Sequence, residues 1–385
     1  MTTPSAVQPV KKAFPLDVEF EIQLRLPPKA LARFKCVSKS WNNQISDPVF
    51  QETYHIRSKN RINVLFHKRP VNLNMRNQML VEEWGSFNTK TLTIGNNFNT
   101  YGVRVSHLSM VTPQGMICFL GYKNNDYNDA HVYLYSLTSQ LFLELPNNSA
   151  SGFYVGRIVG SGIGYIPSTK KFKIVLLFVR NIQIHQPLYN CQVIEIKNNS
   201  LMGDERGSCF SNWRLIDGHI NDLVDCFETP VIVESTLHWK TWYKNFIISF
   251  DLESEQFRRI EYPTNGYDPS MSTSNHLLHL VDLQGKLGFL TLRDPRIQDA
   301  SLWRLKQDDD DALTWERMYT FSLGGSFHLE PLRPLFFRNE EIIVLYTRGC
   351  VMFHNLEKGS FKMARINEAV NCSVVGVYYE SLSNE

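Results

Sequence analysis

Three stretches of the 385-residue sequence carry residue types that bind phosphates or metal ions in proteins. Residues 160–164 are rich in glycine, but the last glycine of a dinucleotide-binding fingerprint and the helix that must follow it are missing. His276 and His279 lie three residues apart, which on a strand directs the two side chains to opposite faces and disfavours a shared metal ion. Asp308–Asp311 lacks the glycine and the ligand spacing of a calcium loop. We therefore expect a tight connection between strands at residues 160–164 and a solvated hairpin tip at Asp308–Asp311.

Other signatures of catalysis are also missing from the sequence. It contains no phosphate-binding Walker lysine motif and no nucleophile elbow. Its seven cysteines are odd in number and never spaced as a Cys-x-x-Cys pair, so neither a disulfide framework nor a zinc site is predicted. Five tryptophans could line a groove but are mostly predicted to be core residues: Trp213, Trp239, Trp242, Trp303 and Trp315. The sequence thus predicts a binding protein with no catalytic residue, no cofactor and no metal ion.

Net charge and the length of apolar runs argue against nucleic-acid and membrane partners. The chain has 40 basic and 38 acidic residues, a formal net charge of +2, whereas a dedicated nucleic-acid binder usually has a strongly basic face. No run of eighteen apolar residues and no signal peptide is present. We expect a soluble protein of the cytoplasm, the nucleus or both, with no nucleic-acid or membrane partner.

Three short helices are predicted before residue 60. Pro15 is placed where a helix tolerates proline, Pro27-Pro28 separates the first helix from the second, and Asp47-Pro48 is expected to end the third. The apolar residues of each helix recur at helical spacing: Val18, Ile22 and Leu26; then Leu31, Phe34 and Val37; then Trp41 and Ile45. A unit of about forty residues is small for independent stability, so this one should gain from packing on a partner or on the rest of the chain.

Beyond Ile62 the pattern changes to that of strands. Apolar runs bounded by Gly, Pro, Asn or Asp occur at 115–120, 131–135, 172–179, 246–250 and 342–346. No amphipathic helix of ordinary length separates them, which excludes alternating β–α folds.

An internal repeat selects among the all-β folds. A strand ends in a small or polar residue, then come a leucine or proline, a turn, and an aromatic residue that opens the next strand. The opening aromatics are Phe142, Phe172, Trp213, Phe257, Trp315 and Phe361. Their separations of 30, 41, 44, 58 and 46 residues average near 44, within the range of propeller blades. We therefore predict an all-β propeller of about six blades.

The two parts together resemble a known family. Residues 14–50 resemble the plant-type F-box nearly position by position, and the segments 162–175, 247–257 and 302–306 resemble the F-box-associated domain, a kelch-like propeller. The resemblance implies a flexible N-terminus at 1–12, a three-helix F-box at 13–55 and a propeller domain at 61–380. Residues 378–382 are similar to the S-locus F-box subgroup.

The resemblance also implies a function. F-box proteins are non-catalytic substrate receptors of Skp–cullin–F-box (SCF) ubiquitin ligases, in which the F-box binds a Skp-type adaptor attached to cullin. The second domain captures a target protein for ubiquitination and degradation. Matched by position, the adaptor-contacting or F-box core residues would be Pro15, Val18, Ile22, Leu26, Pro27, Leu31, Phe34, Val37, Trp41 and Ile45. Two alternatives are an F-box protein acting outside the ligase, and a propeller lectin or enzyme with a helical cap.

Electrostatics and two departures from the F-box pattern bear on adaptor binding. A set of basic residues could steer the F-box toward an acidic adaptor surface or simply form a solvated rim: Arg25, Lys29, Arg33, Lys35 and Lys39. Gln23 and Phe14 each stand where the family usually has leucine. An interfacial leucine replaced by glutamine loses roughly 1–3 kcal/mol of burial, or about one to two decades of affinity. We nevertheless expect adaptor binding to survive, because the remaining apolar anchors are intact. Long polar loops at 124–129, 201–208 and 264–274 are candidates for the target-binding face.

Overall fold

The structure is a computed structural model. It describes residues 15–58, 62–68, 81–88, 93–101, 103–123, 130–137, 140–146, 158–179, 189–197, 210–220, 229–241, 245–263, 278–292, 299–308, 312–322, 333–338, 342–347, 350–365 and 372–379. The predicted target-face loops lie outside these residues, as do Phe14, Trp242 and His276. None of the described helices has the length and apolarity needed to span a lipid bilayer.

The N-terminal region contains four helices rather than three. They are α1 (Leu16–Gln23), α2 (Pro28–Lys35), α3 (Lys39–Ser46) and α4 (Pro48–Ser58). Asp47-Pro48 ends α3 as predicted but also begins α4. The Asp47 carboxylate accepts hydrogen bonds from the backbone N–H groups of Val49 (2.8 Å) and Phe50 (3.3 Å), and proline is well suited to the first helical position.

The rest of the described chain forms six four-stranded antiparallel sheets, numbered here as blades 1 to 6. Blade 1 contains β1 (Ile62–Lys68), β2 (Val81–Asn88), β3 (Thr93–Tyr101) and β24 (Cys372–Tyr379). Blade 2 contains β4 (Val103–Val111), β5 (Met116–Lys123), β6 (Ala130–Ser136) and β7 (Phe142–Glu144). Blade 3 contains β8 (Ile158–Ile166), β9 (Lys171–Val179), β10 (Tyr189–Lys197) and β11 (Arg214–Ile220). Blade 4 contains β12 (Val231–Val233), β13 (Thr236–Lys240), β14 (Phe246–Asp251) and β15 (Phe257–Glu261). Blade 5 contains β16 (Leu278–Asp282), β17 (Leu287–Leu292), β18 (Asp299–Gln307) and β19 (Leu313–Ser322). Blade 6 contains β20 (Arg333–Arg338), β21 (Ile342–Thr347), β22 (Cys350–Asn355) and β23 (Ser360–Arg365). The prediction of an all-β propeller of about six blades is confirmed.

The C-terminal strand closes the ring. β24 pairs with β1, so blade 1 has the order β24-β1-β2-β3 and joins the two ends of the propeller. In the other blades the first strand is the inner one, and β24 contacts both β4 and β20, the inner strands of the neighbouring blades. Closure removes the open ends that a linear array of sheets would leave.

Hydrophobic clusters fill every junction between neighbouring blades. One cluster runs continuously from blade 2 through blade 3 to blade 4, and separate clusters join blades 4 and 5, 5 and 6, 6 and 1, and 1 and 2. The helices have their own small core, formed by Leu24, Leu31, Ile45, Phe50 and Tyr54.

The predicted repeat corresponds mainly to one hairpin of each blade. The outermost strand of each of blades 2 to 6 has one of these aromatics within two residues of its start: Phe142, Trp213, Phe257, Trp315 and Phe361. Phe172 does not belong to this series, because it lies near the start of β9, the second strand of blade 3. The 30-residue interval between Phe142 and Phe172 is short because it compares the outer hairpin of blade 2 with the first hairpin of blade 3.

Tryptophans of the outer strands tie neighbouring blades together. The Trp213 indole donates a hydrogen bond to the carbonyl of Pro146 at the end of blade 2 (2.7 Å). The Trp315 indole donates in the same way to the carbonyl of Glu261 in blade 4 (2.8 Å). Each ring also packs against an inter-blade cluster, as the sequence predicted for core tryptophans.

The glycine-rich stretch 160–164 lies inside strand β8 and is not the connection between strands that was expected. Its role is close packing of blade 3 against blade 4. A Cβ atom at Gly162 would lie 2.7 Å from the Leu237 side chain, and one at Gly164 would collide with Leu252. The residues that suggested a phosphate site thus serve the blade interface.

Candidate functional site

The first helix presents two of its apolar residues to solvent. Val18 and Ile22, one turn apart, are 41% and 45% exposed, whereas Phe20 and Leu24 belong to the helical core. Leu26 lies beyond the end of α1 and packs against that core. The predicted face of Val18, Ile22 and Leu26 is therefore divided between solvent and core.

The fourth helix explains this division. Phe50 of α4 meets Phe20 edge to face, with ring centroids 5.3 Å apart. Tyr54 stacks on Phe50, and its hydroxyl donates to the Leu26 carbonyl at 2.8 Å. Because α4 covers the Phe20 side of α1, the opposite side, with Val18 and Ile22, is left in contact with solvent.

The ten residues predicted for the F-box core or adaptor contact fall into two groups. Five are buried in the helical core or packed against it: Leu26, Leu31, Phe34, Trp41 and Ile45. Five are exposed: Pro15, Val18, Ile22, Pro27 and Val37. Only the five exposed residues can contact a partner without a rearrangement of the helices.

Sequence reasoning missed two further exposed apolar residues, both on α4. Val49 is 68% exposed and Ile56 is 55% exposed. They lie seven residues apart, which is two helical turns and therefore one face of the helix. The sequence shows this spacing, but it indicates a shared face only if residues 48–58 form a helix, and that helix was not predicted.

Exposed apolar surface is concentrated in these helices. Of the nine large hydrophobic side chains exposed in the described part of the chain, five lie between residues 15 and 58: Val18, Ile22, Val37, Val49 and Ile56. We define these five residues as the apolar helical surface. Concentrated apolar exposure on a folded unit is typical of a protein interaction site.

The same helices also carry charged residues. Of the predicted steering residues, Arg25, Arg33 and Lys39 are exposed and Lys35 is partly buried; the side chain of Lys29 lies outside the described structure. Arg57 of α4 forms two hydrogen bonds with the Glu21 carboxylate of α1, at 2.8 and 3.0 Å. This pairing lowers the pKa of Glu21, so the carboxylate stays ionised and bound to Arg57.

Gln23 lies elsewhere than the sequence led us to expect. Its side chain is fully buried, and among the described residues neither its amide nitrogen nor its amide oxygen has a hydrogen-bond partner. Gln23 is thus not part of the exposed surface, and its effect on adaptor binding stays a prediction. The substitution of Gln for the usual Leu acts on the helical core instead.

The propeller contains one cavity of note among its described residues. A cavity of about 130 Å³ lies among the inner strands and is lined by His279, Asp282 and Arg333 together with apolar side chains. Burial raises the pKa of Asp282, whose carboxylate accepts a hydrogen bond from the Gly285 backbone at 2.8 Å. Among the described residues, no group of His, Cys, Asp and Glu side chains could hold a metal ion.

Comparison with known proteins agrees with this division of the chain. Residues 13–53 match the F-box domain, and residues 58–377 match the F-box associated beta propeller domain. An F-box/kelch-repeat protein of Arabidopsis thaliana is 22% identical over 374 residues, covering 96% of this chain and 94% of the relative. An F-box protein of the same plant is 24% identical over 381 residues, covering 91% of this chain and 80% of the relative. A chain in the crystal structure of a nidogen/laminin complex aligns with a TM-score of 0.45 and 8% identity, covering 83% of this chain and 99% of that one. The chain belongs to the family of plant F-box proteins in which an F-box domain precedes an F-box-associated β-propeller.

Proposed function

We propose that the protein is the substrate receptor of an SCF-type ubiquitin ligase. Its F-box binds a Skp-type adaptor and, through it, cullin, while its propeller binds a target protein. The ubiquitin chemistry belongs to other subunits, and this chain contributes by holding the target near them, which raises the effective concentration of the reacting groups. We further propose that it acts in the cytoplasm, the nucleus or both.

The apolar helical surface is the observation that carries this proposal. Its five side chains are exposed although the helices already have a core of their own. Covering such side chains with a partner is favourable by about 25 cal/mol for each Å² of apolar surface removed from water. A Skp-type adaptor is the partner that the family implies for this domain.

Adaptor binding by full-length variants tests the proposal. We expect Ile22→Asp to weaken the affinity for a recombinant Skp-type adaptor by at least about tenfold, because a charge would enter an apolar interface. Leu215→Asp is the matched control, since Leu215 is also exposed (38%) but lies in blade 3 of the propeller. Affinities measured by isothermal titration calorimetry, with helix content checked by circular dichroism, give the comparison.

Two outcomes would contradict the proposal. One is the absence of adaptor binding by a folded full-length chain, which would mean that the protein acts outside the ligase. The other is an equal loss of affinity in Ile22→Asp and Leu215→Asp, which would show that the apolar helical surface is not the adaptor site. Co-elution of the chain, adaptor and cullin in size-exclusion chromatography is the expected result for the assembled complex.

A further inference from the structure

The cavity of the propeller belongs to its central channel. It is lined by the inner strands of five blades: β4, β12, β16, β20 and β24. These inner strands all run in the same direction, because the four antiparallel strands of each blade return the chain to the side from which it started. The cavity is therefore shared by most of the ring and is not a packing gap within one blade or one junction.

Most of the cavity wall is apolar. Among the described residues that line it, only Asp282, His279 and Arg333 have side chains that can carry a charge. The others are valine, leucine, isoleucine, methionine, proline, glycine and threonine. An apolar pocket on which a few polar groups converge is the usual form of a small-molecule site.

Asp282 lacks a positive partner in this cavity. It is the partly buried last residue of β16, and one of its carboxylate oxygens accepts the hydrogen bond from Gly285 at 2.8 Å. Within the described part of the chain, the other oxygen has no hydrogen-bond donor and no basic side chain acts on the carboxylate. Carboxylates that are removed from water are normally paired with a cation, so the surroundings of Asp282 favour a positively charged ligand.

The groups nearest to Asp282 reinforce this preference. Burial raises the pKa of Asp282; the hydrogen bond from Gly285 opposes this effect, and the Glu234 carboxylate after β12 adds to it. Burial, together with the Asp282 carboxylate, also raises the pKa of the Tyr379 hydroxyl at the end of β24 to about 12. Asp282, Glu234 and Tyr379 thus meet where the inner strands end, and the potential at this end of the channel is negative.

The other end of the cavity is basic. Arg333 is the first residue of β20, whereas Asp282 is the last residue of the neighbouring inner strand, which runs in the same direction. His279, the second residue of β16, also lies nearer to the Arg333 end. A guanidinium group stays charged and has several N–H donors, so Arg333 can bind an anion in addition to the contacts that it makes within the structure.

The size of the cavity limits the ligand. Its volume is about 130 Å³. A cavity of about 150 Å³ takes up benzene, so a ligand of about six or seven non-hydrogen atoms fits here. Water molecules can hydrogen-bond with Asp282 but bring no positive charge, whereas a small molecule with a charge at each end pairs with both Asp282 and Arg333.

We propose that the central channel binds a small linear aminocarboxylate, with its ammonium group on Asp282 and its carboxylate on Arg333. The ammonium group donates to the carboxylate oxygen of Asp282 that Gly285 leaves unpaired, and the Glu234 carboxylate attracts it further. The short aliphatic chain between the two charges packs against the apolar wall. This site is separate from adaptor and target binding, so it does not depend on the proposed function.

Three compounds of equal chain length test the site. The probe is 4-aminobutanoate, titrated into the full-length protein and followed by isothermal titration calorimetry. Saturable binding with a Kd below about 0.1 mM is expected, which a ligand of this size can reach. Butylamine lacks the carboxylate and butanoate lacks the ammonium group. Each should bind at least about tenfold more weakly, measured by ligand-observed NMR, because one charged end of the cavity stays without a partner.

Two variants assign the ends of the ligand. Asp282→Asn keeps an oxygen that accepts from Gly285 but removes the charge. It should weaken binding of 4-aminobutanoate and butylamine at least about tenfold and leave butanoate unchanged. Arg333→Gln should weaken 4-aminobutanoate and butanoate and leave butylamine unchanged. A merely structural defect would weaken all three compounds. Asp308→Asn is the matched control, because Asp308 is exposed and follows β18 in the same blade as Asp282.

Three results would overturn the inference: no saturable binding of 4-aminobutanoate, equally tight binding of butylamine or butanoate, or equal effects of Asp282→Asn and Asp308→Asn. If Arg333→Gln lowers the melting temperature, Asp282→Asn still decides, since asparagine has nearly the shape of aspartate and retains the hydrogen bond from Gly285.

Discussion

The buried amide of Gln23 gives the sharpest prediction for the helical unit. Gln23 is fully buried, and both polar atoms of its side chain lack a hydrogen-bond partner within the part of the chain that the structure describes. An unsatisfied buried polar group costs about 1–3 kcal/mol, and this cost disappears when an apolar side chain of similar size replaces it. We therefore expect Gln23→Leu to raise the free energy of unfolding of the helices by about 1–3 kcal/mol.

Hydrogen exchange on the full-length protein measures this change locally. Protection of backbone amides between residues 16 and 26 should rise by roughly 5- to 150-fold, since about 1.4 kcal/mol corresponds to a factor of ten. Gln23→Met, which keeps the unbranched shape without the amide, should give most of the same effect. Peptides from the propeller should exchange as before, because the helices have a separate core.

The matched control is Asn43→Leu, which makes a similar change at an exposed position of α3. Its effect should stay within about 0.5 kcal/mol. Unchanged or lower protection in Gln23→Leu would refute the reasoning, as would an equal gain in Asn43→Leu. Because the Gln23 amide lies in the core, Gln23→Leu neither adds nor removes a contact with the adaptor. We therefore expect it to change adaptor affinity only through the stability of the helices.

Three further predictions concern single contacts. Asp47→Ala removes the cap of α4 and should destabilise the helical unit by about 0.5–2 kcal/mol, measured by hydrogen exchange of α4. Trp315→Phe removes the indole hydrogen bond between blades 4 and 5 and should lower the free energy of unfolding of the propeller by about 1 kcal/mol in urea titrations. Glu255 is paired with Arg214 and Lys173, and the hydrogen bonds from Arg214 contribute most to lowering its pKa to about 2. Its contribution to stability should be complete above its ordinary pKa of 4.5 and disappear as the pH falls through about 2, so Glu255→Gln should flatten the acid side of the stability profile.

Each of these predictions has its own control. Asp47→Asn should retain most of the cap, because asparagine is also a good N-cap residue, and equal loss in both variants would argue against capping. Phe257→Leu changes the aromatic residue that holds the corresponding place of the repeat in blade 4 and has no indole N–H, so it separates packing from the hydrogen bond of Trp315. For Glu255, parallel pH profiles of the variant and the unmodified protein would show that the pairing with Arg214 and Lys173 does not stabilise the fold.

Some features could be predicted from local sequence alone. The hairpin motif of Asp251–Phe257 and Asn355–Phe361 is one, because its polar residue caps the turn, its leucine enters the core and its aromatic opens the outer strand. The Asp251 carboxylate accepts backbone hydrogen bonds from Glu253 and Ser254, and Leu252 is fully buried. Every part of that motif is within a few residues of the others, so it is visible as a repeat.

Other features depend on residues far apart in the chain. The Gly160–Gly164 stretch resembled a loop until Leu237 and Leu252 of the next blade were seen packed against it. Lys173 could not have been recognised as a buried residue, since its partner Glu255 lies 82 residues away. The pairing of β24 with β1, which closes the ring, joins the two ends of the propeller.

The sequence by itself determined the family, the change from helices to strands near residue 60 and the approximate number of blades, because these follow from local periodicity and from a motif repeated along the chain. Only the tertiary structure decided which apolar residues are free to meet a partner. Val18 and Ile22 are as apolar as Leu24 and Leu31, yet α4 covers one side of α1 and leaves the other exposed. Burial is set by what packs against a surface, and that depends on contacts between distant elements, which periodicity does not encode.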